Sequence, residues 1–247
     1  MKYINKYKSP NFNLRKKVKI KYIIIHYTAL DTAEEAIEFL CNKKNKVSSH
    51  YLISKKGLIF NLVDERKRAW HAGKSYWKGD YDINSFSIGI ELDFNPEKNK
   101  KYSHKLINSL IFLLNKLKKK YNIKKENILG HSDVSPYRKI DPGINFPWKK
   151  LGIFRDNIKN IKKIKMLTIS LNNSFKYLKI TKRSEKILFI LAYLGYDISQ
   201  AKLGNKKLKN LVRSYKSKFM QGSLDSNLDE IFFKKIKEHF VKDLLKN

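Results

Sequence analysis

The feature that most constrains this chain is an apolar run that ends in a histidine. Residues Tyr22–Ile25 are aromatic or β-branched, and His26 follows them directly. A short continuous run of this kind is typical of a strand that is buried on both faces. The run therefore predicts a strand inside a larger fold, with a polar, chemically active side chain at its end.

Helical and strand patterns alternate after this run. Thr32, with Glu35 three residues later, has the pattern of a helix-capping box, and Gly57 lies in the turn of a predicted hairpin. This alternation indicates an α/β fold. The predicted elements are a helix from 33 to about Cys41, hairpin strands at 51–54 and 58–63, a strand at 87–92, a helix at 104–121, a strand at 128–130 and a loop at 131–148.

The sequence changes character after Phe154, where glycine and proline become rare. Three amphipathic helices are predicted further on, at Ser184–Leu194, Leu208–Phe219 and Leu228–Leu245. A lysine-rich segment with weak periodicity precedes them. We therefore expect a first domain at 1–155, a linker at 156–182 and a small all-α domain at 183–247.

The chain is strongly basic, with 54 Lys and Arg against 22 Asp and Glu and a formal net charge of +32 over 247 residues. Its 42% hydrophobic content is enough for a real core, which excludes a wholly disordered chain. The positive charge is spread over both halves, without a basic tail. We interpret it as a generic cationic surface and predict no specific nucleic-acid partner.

Cysteine content and apolar stretches exclude other classes. Cys41 stands alone, so an internal disulfide and a multi-cysteine zinc site are both excluded. The longest apolar stretches are far shorter than the roughly 20 residues of a membrane-spanning helix. The first residues lack the pattern of a secretory signal. We therefore expect no transmembrane segment and a cytoplasmic protein.

Two histidines and an aspartate are candidate metal ligands. His26 ends the buried strand, and His131 and Asp141 lie in the loop that follows a short strand. Two imidazoles and one carboxylate form a ligand set of catalytic zinc sites, which keep a fourth position open for water. The spacing by itself leaves a second interpretation open, in which these are structural side chains with ordinary hydrogen bonds.

Five ordered motifs stand out in the first part of the chain. They are Tyr-Ile-Ile-Ile-His-Tyr-Thr at 22–28, Ser-Ser-His-Tyr-Leu-Ile at 48–53, Arg-Ala-Trp-His-Ala-Gly at 68–73, Ser-Ile-Gly-Ile-Glu-Leu at 87–92 and Gly-His-Ser-Asp-Val-Ser-Pro-Tyr-Arg-Lys-Ile-Asp-Pro-Gly at 130–143. Together they resemble one known family, the zinc-dependent N-acetylmuramoyl-L-alanine amidases of the AmpD and AmiD type, which are related to phage amidases and peptidoglycan recognition proteins. The resemblance implies a mixed central sheet flanked by helices.

The resemblance also implies roles for five residues. His26, His131 and Asp141 would ligate one zinc ion per chain. Glu91 and Lys139 would be the catalytic residues, with the carboxylate moving the proton of the attacking water and the ammonium facing the developing oxyanion. Without the motifs, Glu91 and Lys139 would be ordinary surface charges.

Other side chains in the motifs have less specific roles. We interpret Trp70, His71 and Trp77 as substrate-binding residues of the cleft, although tryptophans of this kind are also common in cores. His50 is interpreted as a packing residue or a support for the ligands. The family resemblance makes neither His50 nor His71 a metal ligand.

The implied activity is hydrolysis of the amide between the N-acetylmuramoyl lactyl group and L-alanine of peptidoglycan stem peptides. We expect 1,6-anhydromuropeptides as substrates, in cell-wall recycling. The alternatives are a wall-acting amidase of the periplasm or outer membrane and a non-catalytic peptidoglycan-binding protein. The C-terminal helices faintly resemble peptidoglycan-binding modules but keep only part of their signatures.

Overall fold

The computed structural model describes residues 2–16, 18–152, 161–222 and 225–245. The predicted boundary at 155/156 lies outside the described residues. The strands are β1 (Tyr3–Ile4), β2 (Phe12–Leu14), β3 (Tyr22–Tyr27), β4 (Tyr51–Ile53), β5 (Ile59–Asn61), β6 (Lys67–Ala69), β7 (Tyr76–Trp77), β8 (Asp80–Tyr81), β9 (Ser87–Leu92) and β10 (Ile128–Gly130).

The helices alternate with these strands up to β10 and then follow one another. They are α1 (Ala33–Cys41), α2 (Ile83–Phe86), α3 (His104–Tyr121), α4 (His131–Val134), α5 (Ile161–Tyr177), α6 (Arg183–Leu194), α7 (Asn205–Phe219) and α8 (Glu230–Leu244). Short 3-10 turns occur at Lys43–Asn45, Lys125–Asn127, Trp148–Leu151 and Ala201–Leu203.

A mixed six-stranded sheet lies at the centre, with the order β1-β5-β4-β9-β3-β10. Strands β4, β9, β3 and β10 run parallel to one another, whereas β5 is antiparallel to β4. Two small antiparallel pairs, β2 with β6 and β7 with β8, lie outside this sheet. The predicted mixed sheet flanked by helices is confirmed.

Strand β3 is buried on both faces, as its apolar run predicts. Ile23, Ile24 and Ile25 are fully buried. Ile23 and Ile25 belong to the cluster that contains the leucines of α3, whereas Ile24 belongs to the cluster formed by the C-terminal helices. Because successive side chains of a strand point to opposite faces, this one strand contacts both covering layers.

Helix α3 covers one face of the sheet through a leucine stripe at helical spacing. Ser103 caps the helix by accepting a hydrogen bond from the backbone N–H of Leu106, and Asn122 ends it in a left-handed conformation. Burying each leucine contributes about 1.5–3 kcal/mol. The buried leucines are Leu106, Leu110, Leu113, Leu114 and Leu117.

The C-terminal helices cover the other face and share a core with the sheet. Tyr22 and Leu129 of the sheet belong to the same cluster of buried side chains as Leu191, Leu211 and Phe232 of α6, α7 and α8. The helical part is therefore packed directly against β3, which carries His26, and β10, which His131 follows.

The segment predicted as a linker contains a long helix. Residues 161–177 form α5, and Leu171 and Phe175 on this helix are buried in the shared core. The weak periodicity of this stretch concealed the helix, because only one narrow side of it is covered. No helix in the described part of the chain is long and apolar enough to cross a membrane.

Candidate metal centre and active site

Three buried side chains converge beyond the ends of two neighbouring parallel strands. His26 lies on β3, His131 begins α4 directly after β10, and Asp141 comes from the following loop. The Nδ1 atoms of His26 and His131 are 3.0 Å apart, and Asp141 Oδ2 lies 3.2 Å and 3.0 Å from them. This cluster could hold a metal ion.

The second nitrogen of His131 fixes the orientation and tautomer of that ring. His131 Nε2 lies 3.1 Å from the carbonyl oxygen of Ala72, which can only accept a hydrogen bond. Nε2 must therefore carry the proton. The lone pair of Nδ1 is left free and points at the other two side chains.

A longer chain of hydrogen bonds fixes His26 in the same way. Ser87 Oγ donates to the carbonyl oxygen of Ile83 at 2.7 Å, so it must accept from His71 Nε2 at 3.1 Å. His71 Nδ1 is then the acceptor for His26 Nε2 at 3.0 Å. His26 Nδ1 is left with a free lone pair, as a metal ligand needs.

The environment favours the metal-binding protonation states. Burial, followed by the proximity of His131, lowers the pKa of His26 to about 4, so its ring is neutral near pH 7. Burial acts to raise the pKa of Asp141, but the imidazoles of His131 and His26 outweigh it and hold this pKa well below its ordinary value. A neutral imidazole and an ionised carboxylate are the forms that coordinate metals.

Glu91 lies beside the cluster because of the strand register. Parallel pairing of β3 with β9 places Glu91 directly opposite His26, on the same face of the sheet. Glu91 Oε2 is buried and has no hydrogen-bond partner among the described residues. Burial, then the charge of Asp141, raises the pKa of Glu91 to about 8, and Lys139 acts in the opposite direction.

These side chains line one open cavity of about 370 Å³. The cavity brings together the three possible ligands with Glu91 and Lys139, and its outer wall includes Phe39 and Leu40 of α1. The predicted ligand and catalytic residues therefore share one site. The Glu91 oxygen that has no partner among the described residues and the half-buried side chain of Lys139 both line the space beside the cluster.

The structure places one of the three predicted substrate-binding residues at the cavity and the other two elsewhere. His71 lines the cavity, but both of its ring nitrogens pair with His26 and Ser87. Neither Trp70 nor Trp77 is among the described residues that line this cavity. The Trp70 indole donates to Asn13 Oδ1 at 2.6 Å, and Trp77 packs edge-on against Tyr196, 4.8 Å between ring centres.

His50 has a packing environment. It is fully buried, and its Nδ1 accepts a hydrogen bond from the backbone N–H of Gly89 at 3.0 Å. Its ring lies 5.7 Å from that of His71. His50 therefore supports the ring that in turn supports His26.

Sequence reasoning missed Ser87 and Gly89 as parts of this site. A Cβ atom at position 89 would lie only 2.5 Å from the ring of His71, so that ring can cross β9 only over a glycine. A glycine inside a strand is a recognised sign of such a close approach. The signal was present in the Ser-Ile-Gly-Ile-Glu-Leu motif.

A second cavity, of about 400 Å³, lies on the other side of the ligand loop. It shares Tyr27, Arg138, Lys139 and Ile140 with the first cavity, and Arg213 of α7 lies in its far wall. No aspartate or glutamate is among its described lining residues. The two cavities therefore adjoin, and the second is lined by the basic side chains of Arg138, Lys139 and Arg213.

Comparison with known proteins agrees with this geometry. A family model described as N-acetylmuramoyl-L-alanine amidase matches residues 16–144. AmiD of Escherichia coli is 40% identical over 147 residues, which cover 54% of this chain and 52% of AmiD. AmpD of Haemophilus influenzae is 35% identical over 161 residues, which cover 58% of this chain and 86% of AmpD.

Structural similarity extends further than sequence similarity. A solved structure of E. coli AmiD with the substrate anhydro-N-acetylmuramic acid-L-Ala-D-gamma-Glu-L-Lys superimposes with a TM-score of 0.73 at 28% identity. That match covers 94% of this chain and 91% of AmiD in that structure, so it includes the C-terminal helices.

The fold is that of the amidases to which this chain is similar, and its His-His-Asp cluster could hold a metal ion. The chain belongs to the N-acetylmuramoyl-L-alanine amidase family, because the family model covers about half of it. The sequence match spans only about half the length of E. coli AmiD.

Proposed function

We propose that this chain is a zinc-dependent N-acetylmuramoyl-L-alanine amidase. It would hydrolyse the amide that joins the lactyl group of N-acetylmuramic acid to the L-alanine of a stem peptide. The observation that carries this proposal is the convergence of His26, His131 and Asp141 within 3.2 Å, beside a Glu91 oxygen that has no hydrogen-bond partner among the described residues.

The spacing of the three ligand atoms supports zinc. Bonds of 2.0–2.1 Å in a tetrahedron place neighbouring ligand atoms about 3.3 Å apart. The separations of 3.0–3.2 Å in the cluster come close to this value. When bound, zinc supplies a water molecule of lowered pKa and polarises the substrate carbonyl.

Glu91 is proposed as the general base and then the general acid. Its Oε2 makes no hydrogen bond within the part of the chain that the structure describes, so this oxygen can accept the proton of the attacking water. Burial raises the pKa of Glu91 to about 8, and the ammonium of Lys139, together with a bound zinc ion, would favour the ionised carboxylate that a base needs. The same group can then return the proton to the leaving amine of L-alanine.

Lys139 is proposed as the group that faces the oxyanion. It is two residues before the ligand Asp141 and lines the same cavity as Glu91. An ammonium that is already in position stabilises negative charge as it develops on the carbonyl oxygen. His71 holds His26 in its ligand orientation rather than contacting the reacting atoms.

We propose 1,6-anhydromuropeptides as the substrates. The AmiD relative was solved with such a molecule, whose γ-linked glutamate keeps a free carboxylate. The second cavity adjoins the first, and its basic lining suits an acidic peptide of this kind. Recycling of wall fragments in the cytoplasm is the corresponding cellular role.

The parts of the chain would divide this work. We propose that residues 1–155 carry the chemistry and residues 183–247 form the helical region, joined by 156–182. Wall binding by the helical region stays a prediction of its faint resemblance to peptidoglycan-binding modules. Trp70 stays a candidate for contacts with a long substrate outside the cavity, whereas the side chain of Trp77 is buried in the shared core.

Mass spectrometry of two parallel digests tests this function. Purified anhydromuramyl peptide and intact sacculi are each incubated with the protein, with and without a chelator. We expect chelator-sensitive release of free stem peptide from the soluble substrate. Release from sacculi as well would identify a wall-acting amidase, and release from neither would favour the non-catalytic binding protein.

A further inference from the structure

A buried carboxylate lies next to the metal-ligand loop and takes no part in the proposed chemistry. Asp133 follows His131 by two residues and is almost fully buried. Its Oδ2 accepts a hydrogen bond from the backbone N–H of Gly130 at 2.8 Å. The side chain of Asp133 therefore binds back to Gly130, across the turn that contains His131.

The other two partners of Asp133 come from the C-terminal helical region. Lys218 Nζ on α7 donates to Oδ2 at 2.8 Å, and the hydroxyl of Tyr196, just after α6, donates to Oδ1 at 2.7 Å. Lys218 also donates to the carbonyl oxygen of Ile128 at 3.0 Å. One buried ammonium thus joins α7 to both ends of the β10–α4 turn.

A second contact fixes the same turn. Ser214 Oγ of α7 donates to the carbonyl oxygen of Ser132 at 2.7 Å. The backbone N–H of Ser132 in turn donates to the carbonyl oxygen of Asp141 at 2.9 Å. Ser132 is therefore hydrogen-bonded to α7 through its carbonyl oxygen and to the candidate ligand Asp141 through its backbone N–H.

The local structure of this turn explains why outside support matters. Helix α4 has only four residues, too few to hold its own position through internal hydrogen bonds. Removing one partner from a buried ion pair leaves an uncompensated buried charge, which is strongly destabilising. The position of His131 therefore depends on Lys218 keeping Asp133 in place.

We propose that Lys218 and Tyr196 are positioning residues for the metal ligand His131. The C-terminal helical region then forms part of the support of the metal centre, independently of any contact with peptidoglycan. This inference rests on the proposed function only in that it takes zinc as the metal. Lys218 and Tyr196 act through Asp133 and touch neither metal nor substrate.

Helix α7 provides a matched control two residues away. Lys216 is also a fully buried lysine and donates to Asp225 Oδ1 at 2.8 Å and to the carbonyl oxygen of Asn227 at 3.0 Å. Its partners belong to the helical region itself. Lys216→Met removes a buried charge from the same helix without reaching the ligand loop.

Zinc affinity separates positioning from general stability. The affinity of wild type, Lys218→Met and Lys216→Met is measured by competition with a chromophoric chelator, and unfolding of each zinc-free protein is measured in parallel. Support groups behind metal ligands typically change affinity by roughly 10–100-fold. We expect about tenfold weaker zinc binding for Lys218→Met and unchanged binding for Lys216→Met, although both lose stability.

Two tyrosine-to-phenylalanine variants form a second matched pair, which disturbs the structure less because each ring keeps its packing. Tyr196→Phe removes only the hydroxyl that reaches Asp133, whereas Tyr215→Phe removes a hydroxyl that pairs with His239 inside the helical region. We expect zinc affinity to fall several-fold in Tyr196→Phe alone. This pair decides the question if Lys218→Met does not fold.

The outcomes are distinguishable from failure of the proposed function. Wild-type protein that binds no zinc overturns the proposed function and this inference with it. Zinc binding by wild type with equal affinity in Tyr196→Phe and Tyr215→Phe, or in the two lysine variants, overturns the positioning role alone.

Discussion

The α/β region and the C-terminal helical region differ in how they reveal their roles. The first carries five family motifs, and its candidate ligands and catalytic residues can be named from those motifs. The second keeps only traces of a known module and carries none of the proposed chemistry. Yet both regions bury side chains in one shared core, directly behind the ligands.

This contrast shows that chemistry and support leave different traces in a sequence. A metal ligand needs one residue type at one place, so a motif records it. Support can come from any side chain that fits and pairs, as Lys218 does with Asp133. We therefore expect substitutions of the candidate ligand and catalytic residues to remove activity without unfolding, and substitutions in the helical core to affect the whole molecule.

The largest effect is expected from His131→Ala. Loss of one of three ligands leaves too few donors for tight zinc binding, so both bound zinc and amidase activity fall below detection. Metal analysis of the purified protein and peptide release measure the two effects. His104→Ala, on the exposed start of α3, is the control and keeps both. Normal zinc content in His131→Ala contradicts the ligand assignment.

Glu91→Gln is expected to separate metal binding from turnover. The amide cannot accept the water's proton, so the rate falls by about 10²–10⁴-fold while zinc content stays at the wild-type level. Steady-state kinetics and metal analysis test this. Glu38→Gln, an exposed carboxylate on α1, serves as the matched control. A near-normal rate for Glu91→Gln removes this residue from the chemistry.

Leu191→Ala tests whether the two regions unfold together. Leu191 is fully buried in the core shared with β3, and such truncations cost about 2–5 kcal/mol. Denaturant unfolding, followed by tryptophan fluorescence and by circular dichroism, is expected to show one transition at a lower midpoint. Leu203→Ala, at an 82% exposed site, leaves the midpoint unchanged. Two separate transitions break the shared-core description.

Gly89→Ala is expected to have the smallest of these effects. The added methyl group would clash with the His71 ring, and such overpacking lowers the free energy of unfolding by about 1–3 kcal/mol. Displacement of His71 also weakens its hydrogen bond to His26, so zinc affinity falls a few-fold. Gly204→Ala adds a methyl group with open space around it and controls for the substitution itself. Unchanged zinc affinity in Gly89→Ala contradicts the supporting role of His71.

Local sequence patterns predicted much of the fold because each element is stabilised by its own residues. The spacing of leucines defines α3, and the apolar run before His26 defines β3. Helix α5 escaped prediction because tertiary contacts of Leu171 and Phe175, rather than a strong periodic pattern, stabilise it.

The candidate site shows the same limit. The motifs place His26 and Glu91 on separate strands, and only the β3–β9 register brings them together on one face. The pairing of Lys218 with Asp133 joins residues 85 positions apart, without any pattern in the sequence between them. Trp70 and Trp77 lie in recognisable motifs, but their contacts to Asn13 and Tyr196 depend on packing that no motif records.

A zinc titration of the metal-free protein tests the central claim most directly. Peptide release from anhydromuramyl peptide is followed as zinc is added in steps to the protein after chelation. One ion held by His26, His131 and Asp141 predicts a rate that rises linearly and levels off at one equivalent per chain. Activity in the fully metal-free protein, or a plateau that requires two equivalents, contradicts a single catalytic zinc at this cluster.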